Sequence, residues 1–465
     1  NEALESNLFV SDLFARGGPS HSRRFCPRGI PTAGKRGEVY GSKLTFFGEG
    51  RYQLRAYGRQ GHAAQKINSL SAKDKNEPLF WSIIRKMSMK NDQWMVLAIA
   101  AIFFFPCFVS CKKENALWKA KTTEENGVIV VRNPAKPMLG KDACFVEEDL
   151  SIGSPGSEEE QAFSEIAGVA VDREENIYVL DSKEAHIQVF NKAGIYLRTI
   201  GKKGQGPGEM QRPINISITP GNEILVNDRG ARFLHFFALG GEHQRSISLA
   251  RIQSFSRPLA DSGNNILARF GTFMPDRVSF VLAKFDPRLK QLFPVFSYDY
   301  DNSPNIYDVF PPDCFWAVGR DDNIIWGYSD KYELNILNKD GRLVRRIIRD
   351  YAPVKTTDDE KKDWIKFAFG NEGVPPEAKV KWPSYHNAFR SLIVDDSGRI
   401  IVETYEKAAD ERGFYYDVFD PEGRYLARIL LNAAPRSITK DKLYTIEEVE
   451  KGYQEVKRYS VAWGY

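Results

Sequence analysis

The body of the chain has four histidines, His186, His235, His243 and His386, which are its most evident acid–base or metal-binding groups, and their spacing assembles neither chemistry. There is no His-Glu-x-x-His run, no His-x-His and no paired Cys-x-x-Cys, whereas a zinc site needs three or four converging ligands. His186 and His235 fall within short apolar runs, where a half-exposed structural role is expected. Asp181 and Asp228 stand 47 residues apart at matching places in neighbouring repeats and are the weak candidates for holding a cation. Calcium takes about six to eight oxygens, and the matching positions farther on are Phe270, Tyr328 and Thr404. Turn capping is therefore the expected role of both aspartates, and no cofactor is expected. The stretch from Gly201 to Gly208 is glycine-rich, but it lacks the Gly-Lys-Ser/Thr ending of a phosphate loop and reaches Pro213 without opening a helix.

Any such groups would have to be positioned by a β unit that recurs along the chain. Between Ile166 and Pro213, four apolar runs (168–171, 177–180, 187–190 and 195–200) alternate with turn signals, each too short for a helix. The punctuation of this unit resembles a blade of an NHL-type β-propeller. It includes Asp172, Asn176-Ile177, Asp181, the run Ile187-Gln188-Val189-Phe190, Gly194 and the exit Gly204-Gln205-Gly206-Pro207-Gly208-Glu209. Second-strand anchors at Ile177, Ile224, Ile266, Ile324, Ile400 and Leu443 give repeats at propeller spacing, each introduced by an Asp-, Asn- or Gly-bearing turn that supplies positive φ. The expected fold is all-β, a six-bladed propeller of four-stranded blades.

The sixth unit runs out of chain before its outer strand. The strand from Cys144 to Ile152, which ends Ile-Gly as the first blade does, is the expected filler that closes the ring and removes an exposed edge. The longest step, Tyr351 to Tyr385, holds an insertion with a capping box, Thr357-Asp358-Asp359-Glu360, and a helix stop at Gly370. One short helix is expected there.

Charge divides the chain. Residues 1–86 hold 15 Lys and Arg against 7 Asp and Glu, a net of +8, so the whole-chain +4 leaves −4 on the remainder. A slightly acidic body speaks against nucleic-acid binding. Met87, Lys90 and the apolar run 94–110 have the layout of a secretory signal, and the run is at the lower limit for spanning a bilayer of about 30 Å. Phe108-Val109-Ser110-Cys111 resembles a bacterial lipobox, with Phe108 departing from the usual Leu or Val. The resemblance implies a lipid on Cys111, a mature protein starting there and a place in the outer membrane, since Lys112 follows the cysteine. It also implies that residues 1–86 are an upstream stretch outside the mature protein, or else an unfolded extension. Residues 111–126 are expected to be a polar tether, and residues 127–465 the propeller. Cys144 and Cys314 fall in different blades, too far apart to pair, and are expected to be buried.

Three functions fit this outline. The first is a non-catalytic envelope module that binds protein or glycan. The second is a metal-dependent enzyme of lactonase or lyase type, because six-bladed enzymes resembling gluconolactonase carry calcium at the central mouth. A structural scaffold is the third. The candidate binding face is the one with the second-to-third strand connections: Arg269, Phe270, Phe273, Arg277, Trp326, Tyr328, Tyr332, Tyr405 and Arg412. These connections vary on a constant scaffold and are rich in the Tyr, Trp and Arg that anchor interfaces.

Overall fold

The computed structural model describes residues 120–140, 144–153, 162–408, 413–449 and 452–464. The stretch 1–86, the signal segment 87–110, Cys111 and Arg412 lie outside the described residues. Six antiparallel sheets follow one another as blades. Blade 1 runs Ile166–Val171, Ile177–Asp181, His186–Phe190 and Tyr196–Ile200. Blade 2 runs Pro213–Ile218, Glu223–Asp228, Phe233–Ala238 and His243–Ser248. Blade 3 runs Ser256–Ala260, Ile266–Phe273, Arg277–Phe285 and Gln291–Asp301. Blade 4 runs Cys314–Val318, Ile324–Tyr328, Glu333–Leu337 and Leu343–Arg349. Blade 5 runs Ser391–Val394, Ile400–Lys407, Phe414–Phe419 and Tyr425–Leu431. Blade 6 takes Pro435–Thr439, Lys442–Glu448 and Gln454–Trp463 from the end of the chain. The first strands of successive blades touch in a closed circuit, with blade 6 meeting blade 1.

Turn chemistry sets these boundaries. Each first-to-second turn contains a residue with positive φ: Glu175, Asn222, Asn264, Asp321, Gly398 and Asp441 in blade order. In blade 1, Asp172 accepts hydrogen bonds from the amides of Glu174 and Asn176, and Asp261 does the same for Gly263 and Asn265 in blade 3. Such side-chain-to-backbone bonds hold a tight turn in register.

The core lies between the blades. Six hydrophobic clusters among the described residues map one to each seam between neighbouring blades. Tyr178 and Leu180 meet Ile216 and Val226 between blades 1 and 2, and Phe315 and Ile325 meet Leu392 and Val402 between blades 4 and 5. Each blade must bury both faces, so the strands near the axis read as nearly continuous apolar runs.

The first three strands of the chain, β1 (Lys121–Glu125), β2 (Val128–Asn133) and β3 (Cys144–Ile152), form a belt around three blades. β3 pairs antiparallel with Gln454–Trp463 and completes blade 6, as expected from the sequence. The expected tether is corrected for residues 121–125, which pair with β2, while β2 lies parallel to the outer strand of blade 4. The reason is local: Asn126 and Gly127, at φ 53° and 79°, make a tight hairpin, and Asn-Gly is the strongest short-range hairpin signal. From there Asn133 donates to the carbonyl of Gly423 at 2.9 Å, and Met138 and Leu139 bond to the carbonyls of Tyr425 and Leu426 in blade 5. The chain then reaches blade 6. Cys314 and Cys144 are both free, the first buried and the second half-buried rather than buried.

Candidate functional site

The two faces of the ring differ. On one face, the first-to-second and third-to-fourth turns are short. On the other are the second-to-third connections and the longer links 201–212, 302–313 and 350–390 that carry the chain from blade to blade. The insertion lies on this second face. Its helix α1 (Asp358–Phe369) starts at Thr357, whose hydroxyl accepts the Glu360 amide at 3.2 Å while Glu360 accepts the Thr357 amide at 2.9 Å. Trp364 is the buried residue of α1 and packs against Tyr307, Phe369 and Trp382. Tyr307 belongs to a short strand, Ile306–Asp308, which pairs parallel with Lys379–Lys381 of the insertion. Lys381 and Asp301 add an ion pair at 2.7 Å.

Glu360 also joins α1 to blade 5. Its carboxylate lies 3.1 Å from Nε2 of buried His386 and 3.8 Å from Nζ of Lys407. The His386 ring stacks on Tyr405 at 4.4 Å and 12°. A recess of about 220 Å³, its open mouth included, is lined by Arg349, Tyr351, Asn387, Thr404, Tyr405 and Glu406. Burial raises the Glu360 carboxyl, but the bonds from His386 and the Thr357 amide outweigh it and hold its pKa at about 2, against an ordinary 4.5. A depressed carboxyl adds stability above its unfolded pKa and loses it as pH falls through the folded one. The stability difference between wild type and Glu360→Gln is therefore expected to be largest above pH 4.5 and to close as pH approaches 2. Urea midpoints across that range check this, and a gap that does not change with pH would refute it.

The eight described residues of the nine singled out from sequence do not form one patch. Arg269 is buried between blades 3 and 4, with Nη1 2.5 Å from Asp313 Oδ1 and 2.8 Å from the Tyr298 hydroxyl, and its guanidinium lies over Phe280. Trp326 stacks on Phe296 at 4.6 Å, and Tyr328 lies 5.0 Å from Tyr298, in the same seam. Phe270 packs edge-on against Phe285 between blades 2 and 3. Tyr332 is buried between blades 4 and 5 and donates to Asp417 Oδ2 at 2.6 Å. Tyr405 is half-buried under the insertion, and Phe273 is half-buried at the end of its strand. Arg277 is the outward one, 3.8 Å from both Asp276 and Asp299. Seams widen away from the axis, and large second-strand side chains fill them.

Asp181 and Asp228 use their oxygens on backbone. Asp181 accepts the amides of Ser164, Glu165, Lys183 and Glu184. Asp228 accepts those of Gln211, Arg212, Gly230 and Ala231. Each is buried at 0 % exposure, so four N–H donors replace the water each carboxylate gave up. Among the described residues no group of three or more His, Cys, Asp or Glu is placed to hold a metal ion. The sequence reading missed the His386–Glu360–Tyr405 contact. Glu360 was visible as a capping residue, but a contact 26 residues along the chain leaves no local pattern.

Closed circuit, six seams and completed sixth blade define a six-bladed β-propeller. Residues 157–300 match the model of a family described as a 6-bladed beta-propeller. No curated protein sequence matches the chain. Solved structures similar to it include a Bacteroides fragilis protein put forward as exported, 10% identical, covering 72% of this chain and 100% of that one at a TM-score of 0.46. A Bacteroides vulgatus member of the duf4221 family is 12% identical, with coverage of 70% and 100% and a TM-score of 0.44. A gluconolactonase from Xanthomonas campestris is 11% identical, with coverage of 63% and 85% and a TM-score of 0.36.

Proposed function

We propose that this chain is exported, held at a bacterial outer membrane by a lipid on Cys111, and works as a non-catalytic module that binds an envelope protein or glycan on the face bearing the insertion. The observation behind this reading is the asymmetry of the ring: one face has only short turns, while the other has long connections and a helix fixed to the link between blades 3 and 4 and to blade 5. The lipid assignment rests on the apolar run and the Ser110-Cys111 junction. The lactonase or lyase reading gains no support from Asp181 and Asp228, whose oxygens are engaged by backbone amides.

Two variants test the proposal. Labelled palmitate is expected in the wild type and not in Cys111→Ala, and incorporation by both would exclude the anchor. The insertion closes at its base through a bridge between Lys355 and Tyr385, so residues 356–384 can be exchanged for a short Gly-Ser turn. That variant is expected to stay folded and to lose its partners from an envelope extract. Unchanged capture would remove the insertion from the binding surface.

A further inference from the structure

Two of the four histidines of the body meet on blade 2, in the hairpin of Phe233–Ala238 and His243–Ser248. His235 stands opposite Ser246. His243 comes three residues before Ser246, a spacing that sets two side chains on opposite faces of a regular strand. Here the register shifts: Phe236 faces Arg245 and Phe237 faces His243, so Gln244 is an extra residue and His243 returns to the face of Ser246. His235 Nδ1 and His243 Nε2 then lie 2.9 and 2.8 Å from one atom, Ser246 Oγ.

Both imidazoles are held from behind. His235 is 3% exposed, with the rings of Phe233 and Phe237 at 5.8 and 6.2 Å from its own. Phe237 also packs edge-on against His243 at 5.5 Å. Gly208 of the link from blade 1 comes so near that a Cβ there would lie 2.8 Å from the Cβ of His243. His235 Nε2 is 3.7 Å from Oδ2 of Asp228, which four backbone amides fix in place. A carboxylate behind an imidazole favours the tautomer with its proton on that side and its lone pair on the other nitrogen, the arrangement that supports metal-bound histidines. Ser246 is exposed and His243 half-buried, so the meeting point is within reach of solvent.

The fold does not impose these side chains. The same register shift in blade 1 brings Tyr196 beside Thr199, with Gln188 opposite Thr199, and the two hydroxyls bond at 2.8 Å. In blade 2 the single hydroxyl hydrogen of Ser246 can satisfy only one of the two nitrogens, whereas a metal ion at that point would take a lone pair from each. Imidazole with oxygen donors suits copper(II), nickel(II) and zinc(II), copper(II) binding tightest, while calcium wants oxygens throughout. Each nitrogen has to approach by about 0.8 Å to reach the roughly 2.0–2.1 Å of a metal–imidazole bond, a side-chain movement.

We propose that His235 and His243 of blade 2 bind a divalent transition-metal ion, copper(II) most tightly, with Ser246 and water completing its shell. The site needs neither the lipid anchor nor the insertion, so it is tested apart from the function proposed above. The purified full chain is titrated with copper(II), zinc(II) and calcium chlorides in a non-chelating buffer, and the copper form is studied by pulsed EPR. Copper is expected to bind more tightly than zinc, calcium not to bind, and two imidazoles to coordinate the copper. His243→Tyr, the residue type at the matching place in blade 1, is expected to weaken copper by at least about tenfold with the melting temperature of the metal-free protein unchanged. Ser246→Asp, at an exposed position, is expected to tighten copper by at least about tenfold, because it sets a carboxylate where the two imidazoles point. Unchanged copper binding in either variant would overturn the proposal, as would coordination by fewer than two imidazoles or calcium binding as tight as copper.

Discussion

Deleting residues 144–152 is expected to abolish the folded monomer, while deleting residues 120–133 should leave a folded protein with a lower melting temperature. β3 supplies the outer strand of blade 6, in register from Cys144 opposite Trp463 to Ile152 opposite Val456. Ile152 also belongs to the seam between blades 6 and 1, and Cys144 and Val146 pack against the seam between blades 5 and 6. Its polar face is tied down as well: Asp149 bonds to Lys442 and Arg458, Glu148 to Lys457, and the Ser151 hydroxyl to Glu455. Without β3, Gln454–Trp463 becomes a bare edge with free N–H and C=O groups, which is a template for pairing with other chains. β1 and β2 extend a blade that already has four strands, so their loss costs the contacts of the belt and leaves the ring closed. Size-exclusion chromatography and thermal melts of both deletions decide the matter, and equal midpoints for two monomers would refute it. A synthetic peptide of residues 144–153 is expected to restore the first deletion in part.

The ring was legible in the sequence because its signals are local. All six second-strand anchors lie in the strands assigned to them, since tight turns demand Asp, Asn or Gly at fixed offsets and these survive where the strands themselves vary. The closing strand followed from counting strands and finding one short. The belt was not legible: residues 111–126 were expected as a polar tether, and nothing near them announced that β2 would pair with Leu343–Arg349, more than 200 residues away. The candidate face was read least well. Large aromatic and arginine side chains near the ends of second strands look alike whether they point to solvent or into a seam, and alternation says only which neighbouring blade each one meets. Arg269 and Tyr332 illustrate this, each buried against a carboxylate from outside its own blade, Asp313 in the link to blade 4 and Asp417 in blade 5.

Asp417→Leu is expected to destabilise the protein by about 3–5 kcal/mol, the cost of leaving buried cations without their counter-charge. Asp417 is fully buried and lies at the centre of a network between blades 4 and 5. Arg349, 3% exposed, approaches Oδ2 at 3.1 Å, and Arg428 Nε donates to Oδ1 at 3.0 Å. The hydroxyls of Tyr332 and Tyr425 donate to the two carboxylate oxygens, at 2.6 and 2.5 Å. Burial and then the Asp417 charge push both tyrosine pKa values up, so the two phenols remain donors across the ordinary pH range. The Arg349 guanidinium also lies over both rings and donates to the carbonyl of Ala135, which ties the belt to the same point. Arg428 has a second partner in Glu406, at 2.7 and 3.0 Å, and so is less exposed to the loss than Arg349. Changing Arg349 to Leu in the Asp417→Leu background is therefore expected to recover part of the stability, because it removes the stranded charge along with its partner. By contrast, Arg277→Ala, outward-facing and held only by long pairs at 3.8 Å, should stay within about 0.5 kcal/mol of wild type. Urea unfolding of the four proteins measures all of these differences. A cost below about 1 kcal/mol for Asp417→Leu would show that the two blades are held together by the apolar seam alone.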